Sequence, residues 1–289
     1  MKKNDWSRLA FTSFMGLVLS YAFVFLAALP IRYLRLTFGR KAFIISSALC
    51  FSLVLSFGLW QWSLVYLSLC FLIGLYRELE EKRFSIFIAS SLAVFTTAAA
   101  NAFVLLGYSK VTNQNIQALL VEKSQPFMQQ LQQIPRFKEA NLDDLMWYLP
   151  SGLVITLMIV LFVSLTISRV PTTQQHRFEL RMFSLPDWLV WVFIGSLGAT
   201  FVPLGTPLVS LLSMNILAIT LAAYFFQGLA VFTYFLDRLS VFGLWRLLAY
   251  FLVFFQMFIF ISGLGILDYW FNFRHQGLQE HNNQSLKKL

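Results

Sequence analysis

The polar side chains that stand inside long apolar runs are the residues of this sequence best placed to bind a ligand. Four amides do so, at Asn101, Asn215, Gln227 and Gln256. In hydrocarbon each amide needs a hydrogen-bond partner, so each is expected to face another helix or a cavity. Two interpretations follow for the candidate substrate-binding set, which also includes Gly228 as a point of close backbone approach. These residues line a small-molecule site, centred on Asn215 and Gln227, or the amides form hydrogen bonds that hold helices together.

No motif for hydrolysis, phosphate binding or metal binding occurs in the sequence. It has no HExxH, no Gly-x-Ser-x-Gly elbow and no Gly-rich phosphate loop. Clustered carboxylates occur at Glu78, Glu80 and Glu81, where the basic residues of the stretch 77–83 indicate a solvated charged loop. We therefore expect a protein that is not an enzyme and that needs no cofactor and no metal.

Ionisable residues are absent from the middle of the apolar runs. A charge at the bilayer centre costs about 2.5–3.5 kcal/mol, and Asp237, Arg238 and Asp268 all stand where a run ends. This neutral interior disfavours a proton pump or a transporter that uses buried carboxylates.

The elements that must position the amides are membrane helices. Of the 289 residues, 58% are hydrophobic and 12% are charged, against about 25% charged residues in a soluble domain. The mean hydropathy is +0.69. The net charge of +9 is spread over short clusters between apolar runs, which excludes nucleic acid as a partner and is typical of cytoplasmic loops. The sequence predicts an all-α, polytopic helical protein of the plasma membrane, equivalent to the inner membrane of a two-membrane bacterium.

A span of about 20 apolar residues is needed to cross a bilayer, and eight segments qualify, with seven to nine allowed. They are residues 9–29, 42–57, 59–76, 84–107, 149–168, 188–201, 208–236 and 242–267. Pro30 either extends the first span or breaks it into two half-helices. The predicted organisation is a four-span half at 1–107, a polar loop at 108–148, a second four-span half at 149–275 and a polar tail at 276–289. The matching loop pattern of the two halves indicates a structural repeat, or simply the charge rule acting on any eight-span chain.

Lys and Arg residues set the predicted orientation. Four loops, at 31–41, 77–83, 169–187 and 237–246, hold twelve of them, and the two termini hold six. The four loops are therefore expected in the cytoplasm. Both termini and the 108–148 loop, which has four basic residues, then face outward. If the first span consists of two half-helices, the N-terminus is cytoplasmic instead.

The polar loop at 108–148 has an amphipathic pattern. Ile116, Leu120, Phe127, Leu131 and Ile134 recur at helical spacing. A helix restart is expected at Pro126 and another helix start at Asn141. The loop is interpreted as a lid or docking element, or as a helical pair on the bilayer surface.

The C-terminal third carries a resemblance to a known family. Its motifs are Phe183-Ser-Leu-Pro-Asp-Trp188, Phe226-Gln-Gly-Leu-Ala-Val-Phe232 and Gly263-Leu-Gly-Ile-Leu-Asp-Tyr-Trp-Phe-Asn-Phe-Arg274. These, with Asn215 and with Pro30, Arg35 and Gly39 near the N-terminus, resemble the YybS-like family of uncharacterised bacterial membrane proteins. More distantly, the chain is similar to the substrate-binding S components of energy-coupling-factor vitamin transporters. It departs from them in its length and in lacking an Ala-x-x-x-Ala series in its first span.

Asp268, Trp270 and Arg274 form an interfacial signature in this resemblance. The alternative from the residues alone is a lipid anchor, with aromatic rings at headgroup depth and Arg274 meeting lipid phosphate.

Two functions are expected from these patterns. The first is non-catalytic binding or transport of a small solute, with partner membrane subunits supplying energy. The second is a membrane scaffold or assembly factor that docks proteins through its loops. The expected partners are membrane lipid, a small-molecule solute and partner membrane subunits.

Overall fold

The fold is built from helices throughout the part of the chain that is described. A computed structural model describes residues 3–113, 115–134, 142–167, 183–202 and 207–273, and these residues form ten helices and no strand. The helices are α1 (Lys3–Ala22), α2 (Val24–Ser56), α3 (Trp60–Glu81), α4 (Ile86–Thr112), α5 (Ile116–Gln132), α6 (Leu142–Ile167), α7 (Trp188–Phe201), α8 (Pro207–Arg238), α9 (Gly243–Gln256) and α10 (Phe258–Phe271). The predicted all-α class is confirmed.

Five of these helices are long and apolar enough to cross a membrane, namely α2, α3, α4, α6 and α8. A sixth span results if α9 and α10 are taken together, and α7 is apolar but has only 14 residues. The protein is therefore a polytopic helical membrane protein. The predicted number of eight spans is not confirmed, because several predicted segments are divided or short.

The first predicted span is divided at Phe23. That residue leaves the helical region with φ −147° and ψ 84°, whereas Pro30 lies inside α2. The segment is therefore divided, but seven residues before Pro30, so neither a single span nor a break at the proline is observed. α1 lies against α2, since a Cβ at Gly16 would be 3.2 Å from Ile31 Cγ1.

The predicted basic loop at 31–41 is part of α2. The helix departs from helical geometry there only at Gly39, which has φ 78° and ψ 178°. This backbone conformation is essentially restricted to glycine, because a Cβ would clash with the backbone. Gly39 thus bends α2 without a loop and leaves Arg32 and Arg35 on helical backbone.

Replacing Gly39 with alanine is expected to destabilise the protein by about 1–3 kcal/mol, the cost of holding an L-residue in this region. Gly107→Ala is the matched control. Gly107 lies in α4 with open space around its Cα, so alanine there should be neutral or stabilising by up to about 1 kcal/mol. Denaturant titration in detergent micelles measures both changes, and equal stability of the two variants would contradict the assignment of strain to Gly39.

The chain forms two compact units, Met1–Gln175 and His176–Leu289. In the first unit α6 packs against α2, α3 and α4. This segment belongs to the predicted C-terminal half at 149–275, so the observed division comes later in the chain than the predicted one. The unit also contains α5, the helix predicted from the amphipathic pattern of the polar loop. α5 continues through Pro126 instead of restarting there, and α6 begins at Leu142, next to the predicted start.

In the second unit α8 packs against α7 and α10. The predicted span at 242–267 is divided at Met257, where α9 and α10 meet at a bend of 95°. The start of α9 is tied to the end of α8, because Arg246 Nη1 donates to Asp237 Oδ1 at 2.7 Å. The basic loop at 169–187 lies outside the described residues up to position 182, and the polar tail at 276–289 lies outside them entirely.

Candidate functional site

A close helix crossing in the second unit positions the candidate site. A Cβ at Gly228 on α8 would overlap the carbonyl oxygen of Ile261 on α10, and a Cβ at Gly265 would overlap the carbonyl oxygen of Tyr224. Small residues at both positions therefore let the two backbones touch, as is usual where membrane helices pack tightly. The close approach predicted at Gly228 is confirmed, and its counterpart is Gly265.

The crossing brings Gln227 and Asp268 together. Gln227 Nε2 donates to Asp268 Oδ2 at 3.2 Å, and Gln227 Oε1 accepts from the backbone N–H of Leu185 at 3.2 Å. Gln227 is 5% exposed and Asp268 is 3% exposed. One amide thus links α8 to α10 and to the segment that precedes α7.

A cavity of about 220 Å³ adjoins this pair. Its walls come from α8, from the end of α10 and from the segment before α7. They consist of Ser184, Leu185, Pro186, Asp187, Tyr224, Gln227, Asp268, Tyr269 and Asn272. The volume is just below the usual range of drug-sized ligand pockets, about 300–1,000 Å³, so the space suits a smaller solute.

Tyr224 supplies a hydroxyl to this cavity. Its side chain is 1% exposed, and its hydroxyl oxygen is buried without a hydrogen bond to the part of the chain that the structure describes. A buried hydroxyl without a partner is costly, so such groups normally bond to protein, water or a ligand. The cavity therefore offers a donor and acceptor at Tyr224 beside the buried carboxylate of Asp268.

Of the five predicted substrate-binding residues, Gln227 lines the cavity and Gly228 lies at the adjoining crossing. Asn215 precedes Gln227 by twelve residues on α8, a rise of about 18 Å, so the two cannot share one small cavity. Asn215 is buried, and its Nδ2 donates to the carbonyl oxygen of Leu211.

The other two amides lie elsewhere. Asn101 on α4 accepts a hydrogen bond from the hydroxyl of Ser68 on α3, within the first unit. This is an interhelical bond of the kind that the alternative interpretation describes. Gln256 is exposed at the last residue of α9. Neither residue belongs to the cavity.

Two residues of the interfacial signature, Asp268 and Trp270, have different environments in the structure. Asp268 is buried among protein groups, and this contradicts its role in a lipid anchor. Trp270 is 56% exposed, and Arg274 lies outside the described residues. Asp268 thus stands in the last turn of α10, close to the predicted end of the span, but with its carboxylate buried.

Sequence reasoning missed Tyr224, Tyr269, Asn272 and the segment 184–187 as cavity residues. A signal existed for Tyr224, which precedes Gly228 by four residues and therefore lies on the same face of α8. Residues 184–187 lie in the motif Phe183–Trp188 of the family resemblance, but nothing in the sequence predicts their approach to α8, because that approach depends on the fold. In the described residues no group of three or more His, Cys, Asp or Glu side chains could hold a metal ion.

A second polar cluster lies in the first unit, where α2 and α3 meet. Arg35 Nη2 is 2.7 Å from Glu78 Oε1 and 3.4 Å from Glu81 Oε1, and Arg40 Nε is 3.4 Å from the same Glu78 oxygen. Arg77 pairs with Glu80 and Glu81 within α3. The stretches 31–41 and 77–83 therefore lie at one end, as the orientation prediction requires.

The same ion pairs correct the interpretation of the three glutamates as a solvated loop. They stand in the last turns of α3, and Glu78 pairs with an arginine that is only 5% exposed. The cluster holds two helices together and so has a structural role.

The comparisons with known proteins agree with the membrane architecture. A family model described as "Predicted membrane protein (DUF2232)" matches residues 9–269, which include most of the cavity wall. No curated protein and no solved structure matches the sequence.

Proposed function

The chain belongs to this family of predicted membrane proteins, DUF2232, and from that premise we propose that it binds a small polar solute in the cavity of its second unit without catalysing a reaction. The observation that carries the proposal is the Tyr224 hydroxyl, buried in the cavity wall without a partner among the described residues. A bound solute would supply the missing hydrogen bond.

The charge of the cavity indicates the class of solute. Asp268 and Asp187 contribute carboxylates to the wall, and no Lys or Arg is among the lining residues that the structure describes. A buried carboxylate is stabilised by a cation or by several hydrogen-bond donors. The solute is therefore a small molecule with an ammonium group, or one rich in hydroxyl and N–H groups.

The proposed setting is the cytoplasmic membrane of a bacterium. The resemblance to YybS-like proteins, and through them to the S components of vitamin transporters, supports a role in solute uptake with partner membrane subunits. Fold resemblance alone does not establish an activity. The proposal therefore depends on the cavity.

Binding of cyclohexylammonium, with neutral cyclohexanol as the probe of equal size, tests the proposal. The purified full-length protein should bind the ammonium probe more tightly, and Asp268→Asn should weaken that binding by roughly tenfold, since it removes a charged hydrogen-bond acceptor. Calorimetric titration in detergent measures the affinities. Equal binding of both probes by wild type and by Asp268→Asn would contradict the assignment.

Tyr224→Phe provides the complementary test, with Tyr234→Phe as its matched control outside the cavity wall. Both variants lose a phenolic hydroxyl from α8, so a general effect on the helix changes both. Only Tyr224→Phe should weaken binding of the ammonium probe, by severalfold, because only that hydroxyl lines the cavity. An equal loss in both variants would count against a role of the Tyr224 hydroxyl.

The scaffold function remains the competing proposal, and native mass spectrometry of the extracted protein discriminates the two. A solute-binding protein should carry a small adduct that Asp268→Asn loses. A scaffold should instead carry a stoichiometric protein partner whether or not Asp268 is intact.

A further inference from the structure

Arg32 lies near the polar cluster where α2 and α3 meet. Unlike the arginines of that cluster, it has no carboxylate partner among the described residues. Arg35, Arg40 and Arg77 each pair with at least one of the three glutamates. Arg32 forms no ion pair or hydrogen bond with the described residues, and its Nη1 is buried. Glu80 is close enough to attract this charge, but its carboxylate pairs with Arg77, so Arg32 Nη1 has no hydrogen-bond acceptor among the described residues.

The guanidinium of Arg32 lies over an aromatic ring. Arg32 Cζ lies 5.8 Å from the centroid of the Tyr76 ring, within the range of a cation–π contact. Such a contact attracts the positive charge but accepts none of the N–H bonds in the guanidinium plane. An arginine has five N–H donors in a planar fork, so its capacity for an anionic acceptor is retained.

The surrounding charge favours an anion. Lys41, Lys82 and Arg83 are all exposed at the same end of α2 and α3. Together with Arg32 they give this end an excess of positive charge over its three paired glutamates. A carboxylate or phosphate that approached would therefore be attracted before it made contact.

We propose that Arg32 binds a phosphate group, held between α2 and α3 beside Tyr76. The planar fork of arginine matches two phosphate oxygens, and anionic phospholipids present phosphate groups at a membrane surface. The group belongs either to an anionic phospholipid or to free phosphate. This site lies in the first unit, so it does not depend on the solute cavity.

Equilibrium binding to the purified full-length protein in detergent tests the proposal. The probes are phosphatidylglycerol, phosphatidylcholine and inorganic phosphate, each measured by microscale thermophoresis. If the phosphate group belongs to a lipid, the wild type should bind phosphatidylglycerol more tightly than phosphatidylcholine. If it is free phosphate, the wild type should bind inorganic phosphate. Arg32→Gln should weaken the preferred probe by about tenfold, as expected for the loss of one charge-assisted contact.

Lys110→Gln is the matched control, because it removes one positive charge from an exposed position in the last turn of α4, away from the charged end of α2 and α3. Its affinity should stay within about twofold of wild type, since an exposed charge contributes little. Arg32→Lys keeps the charge and loses the planar fork, so it should bind at an intermediate level even where Arg32→Gln folds poorly. The proposal is overturned if the wild type binds none of the probes, if both Arg32 variants bind like wild type, or if Lys110→Gln loses as much as Arg32→Gln.

Discussion

Gly228→Ala should lower the free energy of unfolding by about 3 kcal/mol or more, the upper range for overpacking a close contact. The alanine Cβ would overlap the carbonyl oxygen of Ile261 and would lie within 2.7 Å of its carbonyl carbon. Both are backbone atoms of α10, which cannot rotate aside as a side chain can. The two helices would have to separate, and the separation would also break the bond between Gln227 and Asp268. Denaturant titration in detergent micelles measures the loss.

Gly265→Ala should act in the same way, since its Cβ would overlap the carbonyl oxygen of Tyr224. Gly263→Ala is the matched control two residues away on the same helix. Gly263 has open space around it, so alanine there should be neutral or stabilise α10 by up to about 1 kcal/mol. If all three variants behave alike, α8 and α10 do not cross at Gly228 and Gly265.

Arg35→Ala is expected to cost about 2 kcal/mol. Removing one partner of a fully buried ion pair costs about 3–5 kcal/mol, because the other charge is left without compensation. Here Arg35 is 5% exposed but Glu78 is 30% exposed, so water screens the remaining carboxylate in part and the loss is smaller. Thermal and denaturant unfolding in detergent should both show the change.

Arg40→Ala supplies the comparison, because Arg40 contacts the same Glu78 oxygen from an exposed position. Its side chain is 67% exposed at a distance of 3.4 Å, so its removal should cost less than about 1 kcal/mol. A double variant, Arg35→Ala with Glu78→Ala, should recover part of the loss, since it removes the carboxylate that Arg35→Ala leaves behind and the exposed Arg40 is screened by water. Losses of equal size for Arg35→Ala and Arg40→Ala would show that burial does not set the strength of this cluster.

The positions of two helix breaks could not be predicted from the local sequence. Pro30 was the marked position in the first span, yet the chain breaks at Phe23 and continues as helix through the proline. The bend at Met257 falls in a run without Pro or Gly, so no residue there predicts a break in the helix. Both breaks depend on how neighbouring helices pack, because protein contacts in a membrane can satisfy the backbone groups that a break exposes.

The residues of the candidate site were also only partly predictable from the sequence. Gln227 can be identified from the sequence alone, because a polar amide inside an apolar run needs a hydrogen-bond partner. Its partner Asp268 was placed at a lipid headgroup because it ends an apolar run. The crossing at Gly228 and Gly265 instead buries that carboxylate against α8, and Tyr224 became part of a cavity for the same reason.

The sequence by itself determined that this is an all-α membrane protein, where most of its helices lie and which end of α2 and α3 is charged. These are local properties, since hydropathy and helix formation depend on neighbouring residues in the chain. Only the tertiary structure decided that Asp268 is buried, that Gln227 faces a cavity and that Arg35 is paired while Arg32 lacks a partner among the described residues. Each of these depends on which distant segments meet, and a helix presents a residue to a partner only after packing has fixed its rotation and crossing point.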